Sequence, residues 1–143
     1  MDNRLFFSAT QRNRDCIGNV LSRIIKKGSV LEIGSGSGEH GVVFQKRFPR
    51  IIWQTSDPEL VHRKSISSWI EYEGLTKKMP QPLEIDVEKI PWKIPKEFFL
   101  HQSQEAEAFS LLGLHTQSKN LYFFYALTLG HLFAKLFLSL IHI

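Results

Sequence analysis

Ser29-Val30-Leu31-Glu32-Ile33-Gly34-Ser35-Gly36-Ser37-Gly38-Glu39-His40 passes from a short apolar run into a turn with glycine at every second position. Val30, Leu31 and Ile33 read as a buried strand that ends at Gly34. A helix from about Glu39 to Phe48 follows, closed by Pro49. Strand, glycine turn and helix in that order let the backbone approach a nucleotide-like ligand closely. The turn amides and the helix N-terminus then face that ligand.

The same alternation extends on both sides. Downstream, Ile51-Ile52-Trp53-Gln54-Thr55 reads as a second strand, stopped by Ser56-Asp57-Pro58. Pro58 suits the first position of a third helix with Asp57 as its N-cap. Ile66, Trp69 and Ile70 form that helix's apolar face, and Gly74 ends it. Pro82-Leu83-Glu84-Ile85-Asp86-Val87 reads as a third strand. Upstream, Ser8-Ala9-Thr10-Gln11 has the capping-box pattern. Ile17, Val20, Leu21, Ile24 and Ile25 recur at helical spacing after it, with Gly28 as the stop. Short turns between such elements imply right-handed crossovers and a parallel sheet. The expected fold is α/β, the N-terminal half of a doubly wound, Rossmann-like sheet.

Composition narrows the function classes. The chain has 143 residues, too few for two full catalytic domains, and 22% charged against 43% hydrophobic residues mark a globular protein. A single cysteine, Cys16, makes no internal disulfide and no cysteine-rich zinc module. The N-terminus lacks the apolar core of a signal peptide, so a cytoplasmic protein is expected. The net charge of +4 comes from residues 1–27, which hold six basic and two acidic side chains. That places the surplus on one helix, not on a broad basic face, and no nucleic-acid partner is expected. The histidines show no metal-ligand grouping, so no metal is expected.

Two readings of the glycines compete. Gly36, Gly38 and Gly41 fit the dinucleotide spacing and point to an NAD(P)-binding oxidoreductase. In that frame the match starts after the strand has ended at Gly34, and its acidic partner would be Asp57, only sixteen residues past Gly41. The other frame is Glu32-x-Gly34-x-Gly36-x-Gly38, with an acidic residue inside the strand. It resembles the S-adenosylmethionine loop of class I methyltransferases and is the preferred frame.

The motif order supports a narrower resemblance. Ser8, Ala9, Arg12 and Asn13, then Val30 through His40, then Trp53, Gln54, Ser56 and Asp57, then Asp86, Val87, Pro91 and Trp92, resemble one little-characterised methyltransferase-like family. That family includes the methyltransferase-like protein twenty-six group, and the resemblance covers residues 8–98. It implies a class I fold and S-adenosylmethionine as cofactor, with the acceptor unassigned. It places Glu32, Gly34, Gly36, Gly38, Asp57, Asp86 and Val87 at the cofactor, Asp57 on the ribose hydroxyls and Asp86 on the adenine amino group. Arg12 and Asn13 would lie by the methionine carboxylate; read alone, they are a solvated helix start. His40 sits where a general base would be useful, although a surface or loop-bonding histidine is the preferred reading. The reaction implied is direct displacement on a sulfonium methyl, with the protein supplying alignment.

Beyond Phe98 the pattern changes. Residues 100–143 carry only four charged side chains, Glu105, Glu107, Lys119 and Lys135. The expected division is a partial cofactor-binding domain over 1–98 and a non-family tail over 99–143. The run from Leu121 to Ile141 has the length of a membrane span, but Lys135 within it would cost roughly 2.5–3.5 kcal/mol at a bilayer centre. Thr128, His131, Lys135, Ser139 and His142 instead trace a polar stripe along an amphipathic helix, able to cover an open sheet edge or lie on a membrane. The preferred reading is a frameshift, splice or assembly junction near codon 98, leaving the later strands absent and turnover by this chain in doubt. A protein whose apolar tail binds a membrane or a partner is the non-enzymatic alternative.

Overall fold

A computed structural model describes residues 2–25, 28–86, 88–89 and 92–94, and the backbone of 121–125. The order is α1 (Ser8–Ile24), β1 (Gly28–Ile33), α2 (Glu39–Arg47), β2 (Ile51–Ser56), α3 (Leu60–Tyr72) and β3 (Leu121–Tyr125). The strands form one sheet in the order β2-β1-β3, and both pairings of β1 are parallel. This is the α/β half-sheet expected from the alternation, with β1 at its centre.

Strand alternation sorts the side chains onto two faces. Val30 of β1 with Ile51 and Trp53 of β2 meets Leu21 of α1, Val42 and Phe44 of α2, and Ile66, Trp69 and Ile70 of α3. All three helices therefore contribute to the core on one face. Trp53 and Phe44 are wholly buried there with ring centroids 5.2 Å apart. Leu31 and Ile33 face the other way and pack with Ile85, Leu83, Trp92 and Ile94.

The N-terminal residues bind the helices together. Leu5 N–H donates to Ser65 Oγ at 2.8 Å, Trp69 Nε1–H donates to the Leu5 carbonyl at 3.1 Å, and Phe7 N–H donates to Glu39 Oε2 at 3.0 Å. Arg4 lies 3.6 Å above the Tyr72 ring.

Several expected boundaries differ for identifiable reasons. The capping box does not form: α1 begins at Ser8 with Phe7 as N-cap and no side-chain cap bond. Gln11, the intended partner of Ser8, donates to the Glu39 carboxylate instead. α1 stops at Ile24, and Gly28 opens β1 with φ 106 where it was expected to end the helix. α3 starts at Leu60 with Glu59 as N-cap, so Pro58 precedes it; Asp57 accepts from Glu59 N–H in the turn before the helix.

The expected strand over 82–87 shrinks to one parallel bridge between Leu83 and Ser56. Leu83 N–H donates to the Thr55 carbonyl and Asp57 N–H to the Leu83 carbonyl, both at 3.0 Å. Pro82 has no amide to extend the ladder. Upstream the Gln81 carbonyl is taken by the Gln54 side chain, and downstream Lys89 N–H turns back to the Asp86 carbonyl. The apolar run expected as a helix from Leu121 begins as a strand: Leu121–Tyr125 pairs with Ser29–Ile33. Its Leu-Tyr-Phe-Phe-Tyr composition suits a strand, and β1 has a free side to receive it. Residues 126–141 lie outside the described residues.

Candidate functional site

The glycine turn occupies the carboxyl end of β1. Gly34 and Gly36 have φ of 68 and 57, left-handed values that cost a glycine little. Gly38 is also left-handed, and a Cβ there would stand 2.8 Å from the Ile66 backbone, so only glycine lets α3 pass this close. A Cβ on Gly41 would stand 2.6 Å from Thr55 Cγ2 and 2.9 Å from Met79 Cε. Gly41 is thus required by the seating of α2 on the sheet, the packing role that the third glycine of a dinucleotide fingerprint also has.

The turn's amides are largely spent inside the protein. Ser35 N–H donates to the Ser56 carbonyl at 2.9 Å, Gly36 N–H to Asp57 Oδ2 at 2.9 Å, and Gly38 N–H to the Ser35 carbonyl at 3.1 Å. A pyrophosphate cradle needs such amides free to face the ligand. This turn presents a close, mostly self-satisfied backbone surface, better matched to an uncharged nucleoside than to a diphosphate.

Asp57, at the end of β2, is where three segments meet. Its carboxylate accepts Gly36 N–H, Glu59 N–H at 2.9 Å and the His62 ring, whose Nδ1 is 3.0 Å from Oδ1. Its main-chain carbonyl accepts Arg63 Nη1–H at 2.9 Å. His62 in turn packs edge-on against Phe7, with ring centroids 5.9 Å apart. Sequence reading found no grouping for His62. The available signal was a histidine in the first turn of the helix that follows Asp57-Pro58.

Glu39 was likewise not singled out. It is 4% exposed, and its carboxylate accepts from Phe7 N–H, Ser37 Oγ–H and Gln11 Nε2–H. It ties the start of α1 to the glycine turn and sits at the positive end of α2. Ser37 is further fixed by Ser65, whose hydroxyl donates to its carbonyl at 2.6 Å.

The remaining expected site residues scatter. Glu32 is wholly enclosed, with Oε2 accepting Trp53 Nε1–H at 2.6 Å and Oε1 without a hydrogen-bond partner. Burial pushes its pKa up to about 8; the Trp53 bond opposes the shift and the Asp57 charge adds to it. Glu32 thus holds Trp53 with its carboxyl and the Ser35 hydroxyl of the turn with its main-chain carbonyl, and its side chain is shut off from solvent. Asp86 is partly exposed and pairs with Lys89 at 2.9 Å while accepting Glu88 N–H, contacts that hold its pKa below the usual carboxylate value. Arg12 and Asn13 are exposed on α1. Val87 lies outside the described residues. His40 is half-buried and stacked on Phe44, with centroids 5.3 Å apart; desolvation lowers its pKa and favours a neutral, packed ring. Among the described residues no group of three or more His, Cys, Asp or Glu could hold a metal, and no helix is long and apolar enough to cross a membrane.

A family model described as "Protein of unknown function (DUF938)" matches residues 4–138, nearly the whole chain and well past residue 98. Among solved structures the chain is similar to an S-adenosylmethionine-dependent methyltransferase of Geobacter sulfurreducens, in complex with S-adenosyl-L-homocysteine. Identity is 23% over 52% of this chain and 29% of that one, with a TM-score of 0.44. The corresponding protein of Thiobacillus denitrificans, also in complex with S-adenosyl-L-homocysteine, gives 21% identity over the same shares and a TM-score of 0.44. YjhP of E. coli gives 23% identity over 49% of this chain and 28% of that one, with a TM-score of 0.42. The matched part spans under a third of the length of each of these structures.

Proposed function

The chain belongs to the DUF938 family, and on that premise we propose that it binds S-adenosylmethionine at the carboxyl ends of β1 and β2, as a methyltransferase of unassigned acceptor. The observation that carries this reading is the pairing of Asp57 with Gly36 across parallel neighbours. An acidic residue at the end of β2 clasps the glycine turn at the end of β1, in an open α/β sheet where ligands bind outside the strand ends. The turn amides bonded within the protein favour an adenosyl ligand over a dinucleotide, and this is the feature that supports the preferred frame over the NAD(P) alternative.

In this proposal Gly34 and Gly36 give the ligand room, Gly38 lets α3 close over the turn beside it, and Asp57 accepts from ribose hydroxyls. Asp86, with Glu88 N–H and Lys89 on two of its about four acceptor positions, accepts from the adenine amino group. Val87, Arg12 and Asn13 complete the surround, while Glu32 acts through the turn it supports. All lie within 1–98, the part proposed to hold the cofactor. The finer placement in the methyltransferase-like protein twenty-six group rests on the motif order alone. The bound group would supply an electrophilic methyl on sulfur; the chain would supply its orientation and shelter from water.

Calorimetric titration with S-adenosylhomocysteine, beside Asp57→Asn and an NADH control, tests the reading. Saturable binding weakened about tenfold or more by Asp57→Asn, with NADH silent, is the expected result. Binding of NADH, or silence toward S-adenosylhomocysteine by a folded protein, would overturn it.

A further inference from the structure

A carboxylate offers about four acceptor positions. On Asp57 three are taken: Gly36 N–H on Oδ2, and Glu59 N–H and the His62 ring on Oδ1. A vicinal diol donates two hydrogen bonds, so a ribose with both hydroxyls needs one more position than Asp57 has left. A single hydroxyl needs none to be vacated.

The three present donors differ in what it takes to move them. The Gly36 amide belongs to a turn pinned on either side by Ser35 N–H and Gly38 N–H. The Glu59 amide belongs to the entry of α3, where the Glu59 carbonyl already accepts Arg63 N–H at 3.1 Å. Among the described residues His62 is held by side-chain contacts alone, the bond to Asp57 and the edge of Phe7, and it leaves by rotation about its own χ angles. Its side chain is 28% exposed, against 5% for Asp57. The histidine is therefore the partner of Asp57 with a way out into solvent.

We propose that His62 is a displaceable latch on Asp57: it occupies Oδ1 in the fold described here and yields that position to the second hydroxyl of a nucleoside diol. This inference rests on the reading of Asp57 as the ribose carboxylate. It makes His62 a residue that tunes sugar specificity rather than one that reacts. The bond requires the hydrogen on Nδ1, the assignment that the carboxylate partner imposes.

Calorimetry on the full chain with S-adenosylhomocysteine and its 2′-deoxy analogue provides the test, with far-UV circular dichroism confirming the fold of each variant. His62→Phe keeps a ring against Phe7 and removes the donor, and His62→Ala removes both. His62→Asn keeps a donor where Nδ1 stood. The expected result is about tenfold tighter binding of S-adenosylhomocysteine to the Phe or Ala variant, wild-type affinity for Asn, and no change for the 2′-deoxy analogue in any of them. Wild-type binding with equal or weaker affinity in the Phe and Ala variants overturns the latch and leaves the cofactor reading standing. An equal gain for the 2′-deoxy analogue also overturns it, since the effect would then be access rather than competition. Silence of all four folded proteins toward both ligands overturns the latch together with the reading beneath it.

Discussion

Glu32→Gln should make the protein more stable in alkaline solution than the wild type. The Glu32 carboxyl lies between β1, Trp53 and α2, wholly enclosed, with its pKa raised from 4.5 to about 8 chiefly by loss of hydration. A raised carboxyl pKa means that the native state keeps its proton where the unfolded chain has lost it. The neutral-carboxyl stability is fully present below pH 4.5 and declines as pH rises toward 8. Each pKa unit is worth about 1.4 kcal/mol, so the decline amounts to about 3 kcal/mol by neutrality and about 5 kcal/mol above pH 8. Glutamine has the same shape, carries no charge and accepts from Trp53 Nε1–H through its carbonyl; its NH₂, like the carboxyl O–H it replaces, stands where Oε1 has no partner, a cost that does not vary with pH. Urea denaturation of both proteins at pH 5, 7 and 8.5 measures the difference. The two stabilities should nearly coincide at pH 5 and separate by several kcal/mol at pH 8.5, with the variant higher. Curves that stay parallel across this range, whatever their offset, would refute the claim that Glu32 folds uncharged.

Three further outcomes follow from the same contacts. Glu39→Ala deprives Phe7 N–H, Ser37 and Gln11 of their acceptor and should cost about 1–3 kcal/mol in thermal or urea unfolding; a loss below about 0.5 kcal/mol would mean water replaces the carboxylate without penalty. Gly41→Ala raises helix propensity yet drives a methyl into Thr55 and Met79, so a loss of about 1–3 kcal/mol is expected, and a rise in melting temperature would show that α2 can shift. Asp86→Ala removes an exposed pair with Lys89 and should leave the melting temperature unchanged while weakening S-adenosylhomocysteine binding about tenfold; unaltered affinity would remove Asp86 from the adenine site.

What the sequence made legible was local. β1, its glycine turn, α2, β2 and α3 each carry their own start, stop and periodicity, and each was placed to within about three residues. The candidate site was legible in outline, because Gly36 and Asp57 sit at successive strand ends. What binds them was not. Phe7 and Glu39 are 32 residues apart, and the bond between them displaced the capping box that Ser8 and Gln11 would otherwise form. Strand alternation alone does not say which face of β1 looks inward, and the direction of the Glu32 side chain is fixed by Trp53 on the neighbouring strand. The third strand failed at Pro82 and at the Asp86 turn, where hydrogen bonding overrode a favourable apolar alternation. The pairing of β3 with β1 is the most distant contact in the sheet, and a polar stripe at helical spacing concealed it.

The strap formed by residues 5–7 also has a consequence for timing. Its bonds to Ser65, Glu39 and Trp69 span 60, 32 and 64 residues, so the two bonds to α3 close only after Trp69 has been synthesised. Local turns and helices form in microseconds, whereas closing a loop of this length carries a larger entropy cost before any contact returns it. This strap, made before the helix α3 that it binds, is therefore among the last of the described segments to dock. Until it does, Trp69 and the start of α2 stay uncovered, and a bulky fusion at the N-terminus would slow the step that finally covers them.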